Sequence, residues 1–162
     1  STGEVMGVGR TFVEAFSRAE EAAGIKAPPV GKAFVSVRDA DKPRVLDVAR
    51  LLIERGFSLV ATTGTSAYLG EQGSACEQIN KVIEGRPHIV DLIKNGEIVY
   101  IVNTTEGKAA IADSFSIGRE ALQHRVTYST TIPGARALIQ AIDSRNHPRV
   151  WSLQELHKEL HG

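Results

Sequence analysis

Residues 42–65 read KPRVLDVARLLIERGFSLVATTGT, and within them one periodicity gives way to another. Val45, Leu46, Val48, Ala49, Leu52 and Ile53 recur at helical spacing, which predicts a helix over 42–55 with these side chains toward a sheet. Pro43 sits where a first turn has no N–H to lose, and Gly56 is the stop. FSLVAT is then a short apolar run bounded by turn residues, as in a strand covered on both faces. Three threonines around Gly64 follow before TSAYLGEQG resumes a helical period. A strand that ends in hydroxyls and free backbone N–H groups and turns at once into a helix makes an anion seat.

Outward from this stretch the alternation repeats. KAFVSV precedes it, and CEQIN, HIVDLIKNG, EIVYIV, SFSIGREALQH, RVTYST and PGARALIQAID follow. Strands and helices in such turn predict a three-layer α/β fold, a five-stranded, mainly parallel sheet with helices on both faces, of the Rossmann or flavodoxin kind. TFVEAFSRAEEAA, residues 11–23, places Phe12, Ala15, Phe16, Ala19 and Ala23 on one helical face, with Gly24 as its stop. IKAPPVG reads as a linker, since a Pro-Pro pair cannot continue a helix, so a boundary is set near residue 30, between segments 1–30 and 31–162. At the other end PRVWSLQELHKELHG reads as an extended piece, with Trp151 packing back on the body, and a terminal helix from Ser152.

The bulk numbers narrow the chemistry. A chain of 162 residues, 42% hydrophobic and 23% charged, suffices for one well-buried domain. Its 19 basic and 19 acidic residues cancel, so no global field draws it to nucleic acid or to an anionic membrane, and anion binding has to be local. The lone Cys76 leaves no internal disulfide and no cysteine zinc site, and suits a reducing cytoplasm. No stretch has the length and apolarity of a membrane span or an export leader. The start at Ser1, without Met, suits processing or a piece of something longer.

In open parallel sheets ligands bind beyond the carboxyl ends of the strands. At those ends the sequence places Arg38, then Thr62 to Thr65, Asn80 and Lys81, Asn103 to Thr105, and Tyr128 to Thr131. All are hydrogen-bonding groups or cations, apart from Gly64, and none is a carboxylate. Lys42 in a first turn opposes the helix dipole, a conflict that a bound phosphate would remove. The nucleophile and base inventory is thin. No Ser, His and Asp fall into a triad pattern, and His88 reads as a helix cap or an interface residue. His157 and His161 have metal-ligand spacing but lie on a solvated tail helix, and Glu84 and Asp91 have no partner for general base work. No catalytic or metal residue is assigned.

KAFVSVRDADKPRV, ATTGTSAYLGEQG, NKVIEGRPHIVDLIKNGEIVYIVNTTEGKAAIADS and VTYSTT together resemble the methylglyoxal-synthase-like regulatory domain that ends the large subunit of carbamoyl-phosphate synthase. STGEVMGVGRTFVEAF is similar to the stretch that leaves the second synthetase unit of that subunit, so the resemblance spans essentially the whole chain. It implies a non-catalytic cytoplasmic domain that binds effectors of a larger enzyme. That enzyme makes carbamoyl phosphate from bicarbonate, glutamine-derived ammonia and ATP, for pyrimidine and arginine synthesis. Its ATP, Mg or Mn, and K would belong to the synthetase units, and its further partner is a glutaminase small subunit.

The resemblance also implies residue roles. Lys42, Thr62, Thr65 and Lys81 would hold the phosphate of uridine monophosphate, an inhibitor, or of inosine monophosphate, an activator. Asn103 and Thr105 would touch the nucleotide beyond its phosphate, and Val82, Asp113, Ser114 and Ile117 would wall the pocket. Tyr128 and Thr130 would be the domain's share of an ornithine site, so changes there are expected to leave nucleotide binding near normal. Two rival readings stand beside it. Methylglyoxal synthase itself shares the fold and eliminates phosphate from dihydroxyacetone phosphate, but EGRPH stands here where that family carries the aspartate base of a GGD motif. A phosphate-binding module without a regulatory role is the other.

Overall fold

The computed structural model describes residues 3–106, 108–146 and 152–161. Helix α1 (Phe12–Ala22) comes first, followed by β1 (Lys32–Ser36), α2 (Lys42–Glu54), β2 (Ser58–Thr62), α3 (Thr63–Glu71) and β3 (Glu77–Ile79). Then come α4 (Ile89–Lys94), β4 (Ile98–Asn103), α5 (Lys108–Gln123), β5 (Thr127–Ser129), α6 (Ile132–Asn146) and α7 (Leu153–His161). Single 3-10 turns at Asp39–Asp41 and Val82–Glu84 lead from β1 to α2 and from β3 toward α4. The five strands lie in the order β3-β2-β1-β4-β5, and every pairing is parallel. The chain therefore builds outward from β1 in one direction and returns to build outward from it in the other.

Two apolar layers sandwich this sheet. On one face Ala33, Val35, Leu59, Tyr100 and Val102 pack with Val45, Val48, Ala49 and Leu52 of α2 and Ala135, Leu138 and Ile139 of α6. On the other Phe34, Val60, Ile79, Ile98 and Ile101 pack with Ile89, Val90 and Ile93 of α4 and Ile117 and Ala121 of α5. Ile98 and Ile101 share a face despite their odd spacing. Lys32 pairs with Ile98 but Ala33 with Tyr100, so Val99 is an extra residue that reverses the alternation. The bulge presses on Gly31, where a Cβ would stand 3.0 Å from a Val99 methyl carbon.

Several expectations shift. Ile53 is 42% exposed, because it lies about 90° around α2 from the stripe made by Val45, Val48, Ala49 and Leu52. Phe12 is 69% exposed and stacks on Phe16 instead of packing below, since it occupies the very start of α1. The helix meets α6 further along, where the buried Ser17 hydroxyl donates to the Ala141 carbonyl. Helix α3 begins at Thr63 and not at Thr65, and α5 begins at Lys108, upstream of the expected SFSIGREALQH. Ala109, Ala110 and Ala112 are strong helix formers that carry almost no hydrophobic period, so the pattern hid that first turn. Trp151 lies outside the described residues, as does the side chain of His161. Among the described residues no helix is long and apolar enough to cross a membrane, and no cluster of metal ligands forms.

Candidate functional site

The outward construction in two directions leaves a crevice at the carboxyl ends of β1 and β4, where Ser36 pairs with Asn103. A cleft of about 500 Å³ opens there. Its lining takes in Lys42, Thr62, Thr65 and Lys81 on one side and Asn103, Thr105, Asp113, Ser114 and Ile117 on the other. Residues beyond the ends of β1, β2, β3 and β4 are thus brought together, and those beyond β5 are not among the lining.

Each side chain is positioned by its element. Thr62 ends β2 and stands just before α3, yet its hydroxyl does not cap that helix: it bonds the Ser36 hydroxyl across the strands at 3.1 Å. Thr65, one turn into α3 and fully buried, accepts the Val37 N–H at 3.2 Å. Both bonds leave hydrogens to give. Thr65 accepts there, so its own O–H remains a donor, and one of the paired Ser36 and Thr62 hydroxyls does too. The opening N–H groups of α3 have no partner within the helix, as at any helix start. Gly64 keeps the wall low: a Cβ there would stand 3.6 Å from the Lys42 ammonium, which places that cation directly over the α3 turn. Lys81 starts the turn after β3, its backbone N–H held by the Glu84 carboxylate at 2.8 Å while its side chain reaches the cleft.

The facing wall is built around an amide. Asn103, buried at the end of β4, donates from Nδ2 to Ser114 Oγ and to Tyr128 Oη, each at 2.7 Å. With both hydrogens committed, its Oδ1 is the atom left to accept from a ligand hydroxyl. Burial pushes the Tyr128 phenol up, and its hydrogen bonds with Asn103 and Ser114 act against that. Asp113, one turn into α5, has its carboxyl raised by burial and by Glu84, with Lys81 and His88 pulling it back.

Other sequence-named residues sit elsewhere. Val82 packs against the core under the sheet, and Ile83, largely exposed, takes the place at the wall. Tyr128 stands behind Asn103 without lining the cleft, and Thr130 is exposed beyond the end of β5. His88 is the cap expected of it: its N–H donates to Asp91 Oδ2 at 3.0 Å at the start of α4, which holds the Asp91 carboxyl below its ordinary value.

Sequence reasoning missed the acids of the β1 edge. Arg38, Asp39, Thr104 and Glu106 also line the cleft. Arg38 Nε donates to the buried Asp41 carboxylate at 2.7 Å, and its backbone N–H donates to Thr104 Oγ1. Asp41 is correspondingly lowered, by Arg38 first. Asp39 pairs with Lys42 at 2.7 Å, so the cation that opposes the helix dipole is already met by an anion of its own chain. The signal for both was the spacing in RDADK, where each pair stands three apart, the repeat of a 3-10 turn.

Comparison with known proteins bears on the fold and family of the chain. The family model for the MGS-like domain matches residues 44–130, more than half of the chain. The carbamoyl phosphate synthase large chain of Xanthomonas axonopodis pv. citri is 74% identical over 160 residues, covering 99% of this chain and 15% of that one. The one from Pasteurella multocida is 52% identical over 161 residues, again covering 99% and 15%. This chain thus spans about 15% of the length of these curated relatives. Among solved structures, methylglyoxal synthase from Elizabethkingia anophelis superposes with a TM-score of 0.55 over 77% of this chain and 95% of its own, at 12% identity, a likeness of fold.

Proposed function

Because this chain belongs to the MGS-like domain family, and its relatives of more than half identity are carbamoyl phosphate synthase large chains, we propose that it is the effector-binding domain of such a large chain. Its ligands are phosphomonoesters, namely uridine monophosphate as inhibitor and inosine monophosphate as activator, and it adds part of an ornithine site. The observation that carries the reading is the meeting of two lysines, two threonine hydroxyls and the open start of α3 at one crevice. Two ammonium groups match the charge of a phosphate dianion, and hydroxyl and backbone donors fill its remaining lone pairs. Beyond the phosphate, Asn103 Oδ1 accepts from a sugar hydroxyl, and Asp113, Ser114 and Ile117 form the far wall. The domain performs no chemistry in this reading. It shifts the population of synthetase conformations by about 1–3 kcal/mol of coupling. The ATP and metal ions of the complete enzyme, and its glutaminase partner, belong to parts of the protein beyond this segment.

The experiment is a calorimetric titration with uridine monophosphate at fixed salt. Replacing Lys42 or Lys81 with alanine removes a charge-assisted bond worth roughly 1.5–3 kcal/mol, so affinity should fall about ten- to a hundredfold in each variant. Affinity unchanged from that of the unaltered chain in both variants refutes the seat. The lyase alternative is tested by the same preparation: dihydroxyacetone phosphate should release no inorganic phosphate, since no acid stands in the segment from Lys81 to His88 except Glu84, whose carboxylate is held by the Lys81 backbone. In the complete enzyme, changing Thr130 should impair the response to ornithine.

A further inference from the structure

Among the acids that line the cleft, Asp39 is the one ion-paired to a lysine of the seat. The cleft gathers cations and donors, yet at its lip a carboxylate lies 2.7 Å from the Lys42 ammonium. The contact is imposed by the backbone. The Lys42 N–H bonds the Asp39 carbonyl in the 3-10 turn that closes β1, and residues three apart in such a turn eclipse one another. Lys81 acts on the same carboxylate electrostatically, more weakly than Lys42. Its side chain is 92% exposed and the Lys42 side chain 24%, so the acid is the mobile partner and the lysine the fixed one.

Resting on the phosphate-seat reading, we propose that Asp39 is an internal competitor for the seat: its carboxylate holds Lys42 until a phosphomonoester displaces it. In the unliganded chain the carboxylate stands in for a phosphate oxygen at Lys42. An incoming phosphate takes over both ammonium groups, and Asp39 swings into solvent with no loss of packing. The device raises the concentration at which every anion occupies the site by one common factor. Weakly bound anions are thereby kept out, while a ligand that also engages Asn103 and the far wall still enters.

That common factor is what the test reads. Calorimetric titrations at about pH 8 compare uridine monophosphate, a dianion above its second ionisation near pH 6, with its phosphate methyl ester, a monoanion. Asp39→Asn keeps the shape and removes the charge, and at so exposed a position it leaves the fold intact. Removing an exposed ion-pair partner should tighten both ligands alike, by roughly two- to fivefold. A gain much larger for the dianion than for the ester would mean that Asp39 stays in place and repels, which overturns displacement. Unchanged affinities overturn the competition altogether. Lys42→Ala in the same series separates the two readings. If the unaltered chain binds uridine monophosphate and Lys42→Ala does not, indifference to Asp39→Asn removes the competitor alone. Absence of binding to the unaltered chain removes the seat and the competitor together. A carbon-detected titration adds a readout that a structural role would not move: the Asp39 carboxyl, held low by its Lys42 bond, should return toward its ordinary pKa in the bound protein.

Discussion

Asn103 and Tyr128 join what the sequence kept apart. The amide that faces the cleft is held in place by the phenol, so a residue proposed for one ligand orients a residue proposed for another. Tyr128→Phe removes one hydrogen bond to a buried amide and should lower stability by about 0.5–1.5 kcal/mol in urea unfolding. It should also weaken uridine monophosphate binding severalfold, since the amide is then free to turn. Retained affinity in the folded variant would mean that the Ser114 bond alone fixes Asn103. No pattern of residue types announces a bond between the ends of two neighbouring strands. Each partner was legible as an edge residue, but the pairing needed the register that sets Ile101 opposite Tyr128 and Val102 opposite Ser129.

Short elements depend on their ends. Helix α4 runs only from Ile89 to Lys94, and its opening rests on the exchange between His88 and Asp91. The Asp91 carboxyl is held below its ordinary value chiefly by that backbone bond, so its contribution is fully present above the unfolded pKa and is lost as the pH falls through the lower folded value. Asp91→Ala should therefore lower the thermal midpoint at neutral pH, and by less as the pH falls through the lowered Asp91 value and that carboxyl takes up its proton. Thermal unfolding across that range decides it, and a constant difference would place the effect outside the cap. The elements that were easiest to see, α2 and β2, have long apolar stripes or runs. The hardest were those written in neutral letters, such as the alanine turn that opens α5. Because that turn carries the chain to Asp113 and Ser114, the far wall was visible only through family likeness, whereas the threonine turn and both lysines could be read from strand-end chemistry alone.

At the scale of the whole molecule the sheet is fastened by its two apolar layers, and the site adds little to them. Leu52, fully buried between α2 and the sheet, should cost about 2–5 kcal/mol when cut to alanine, by the cavity it leaves, and urea unfolding will measure it. Strand order was the one global property that no local pattern supplied. Alternation predicts parallel strands, but only the structure shows β1 at the centre with growth to either side. That central position has a mechanical consequence. Along the crevice edge, the half made of β2, β3 and α3 meets the half made of β4, β5 and α5 through β1 and through the contact of α5 with the Val82–Glu84 turn. A molecule that grips Thr62 and Lys81 with one end and Asn103 with the other is a rivet across that seam. The rivet must break before the halves part, so occupancy reports itself as heat resistance. At about a hundred times its dissociation constant a ligand should add about 2.7 kcal/mol to unfolding. A melting curve run against a panel of phosphomonoesters would then rank them as ligands of the proposed seat.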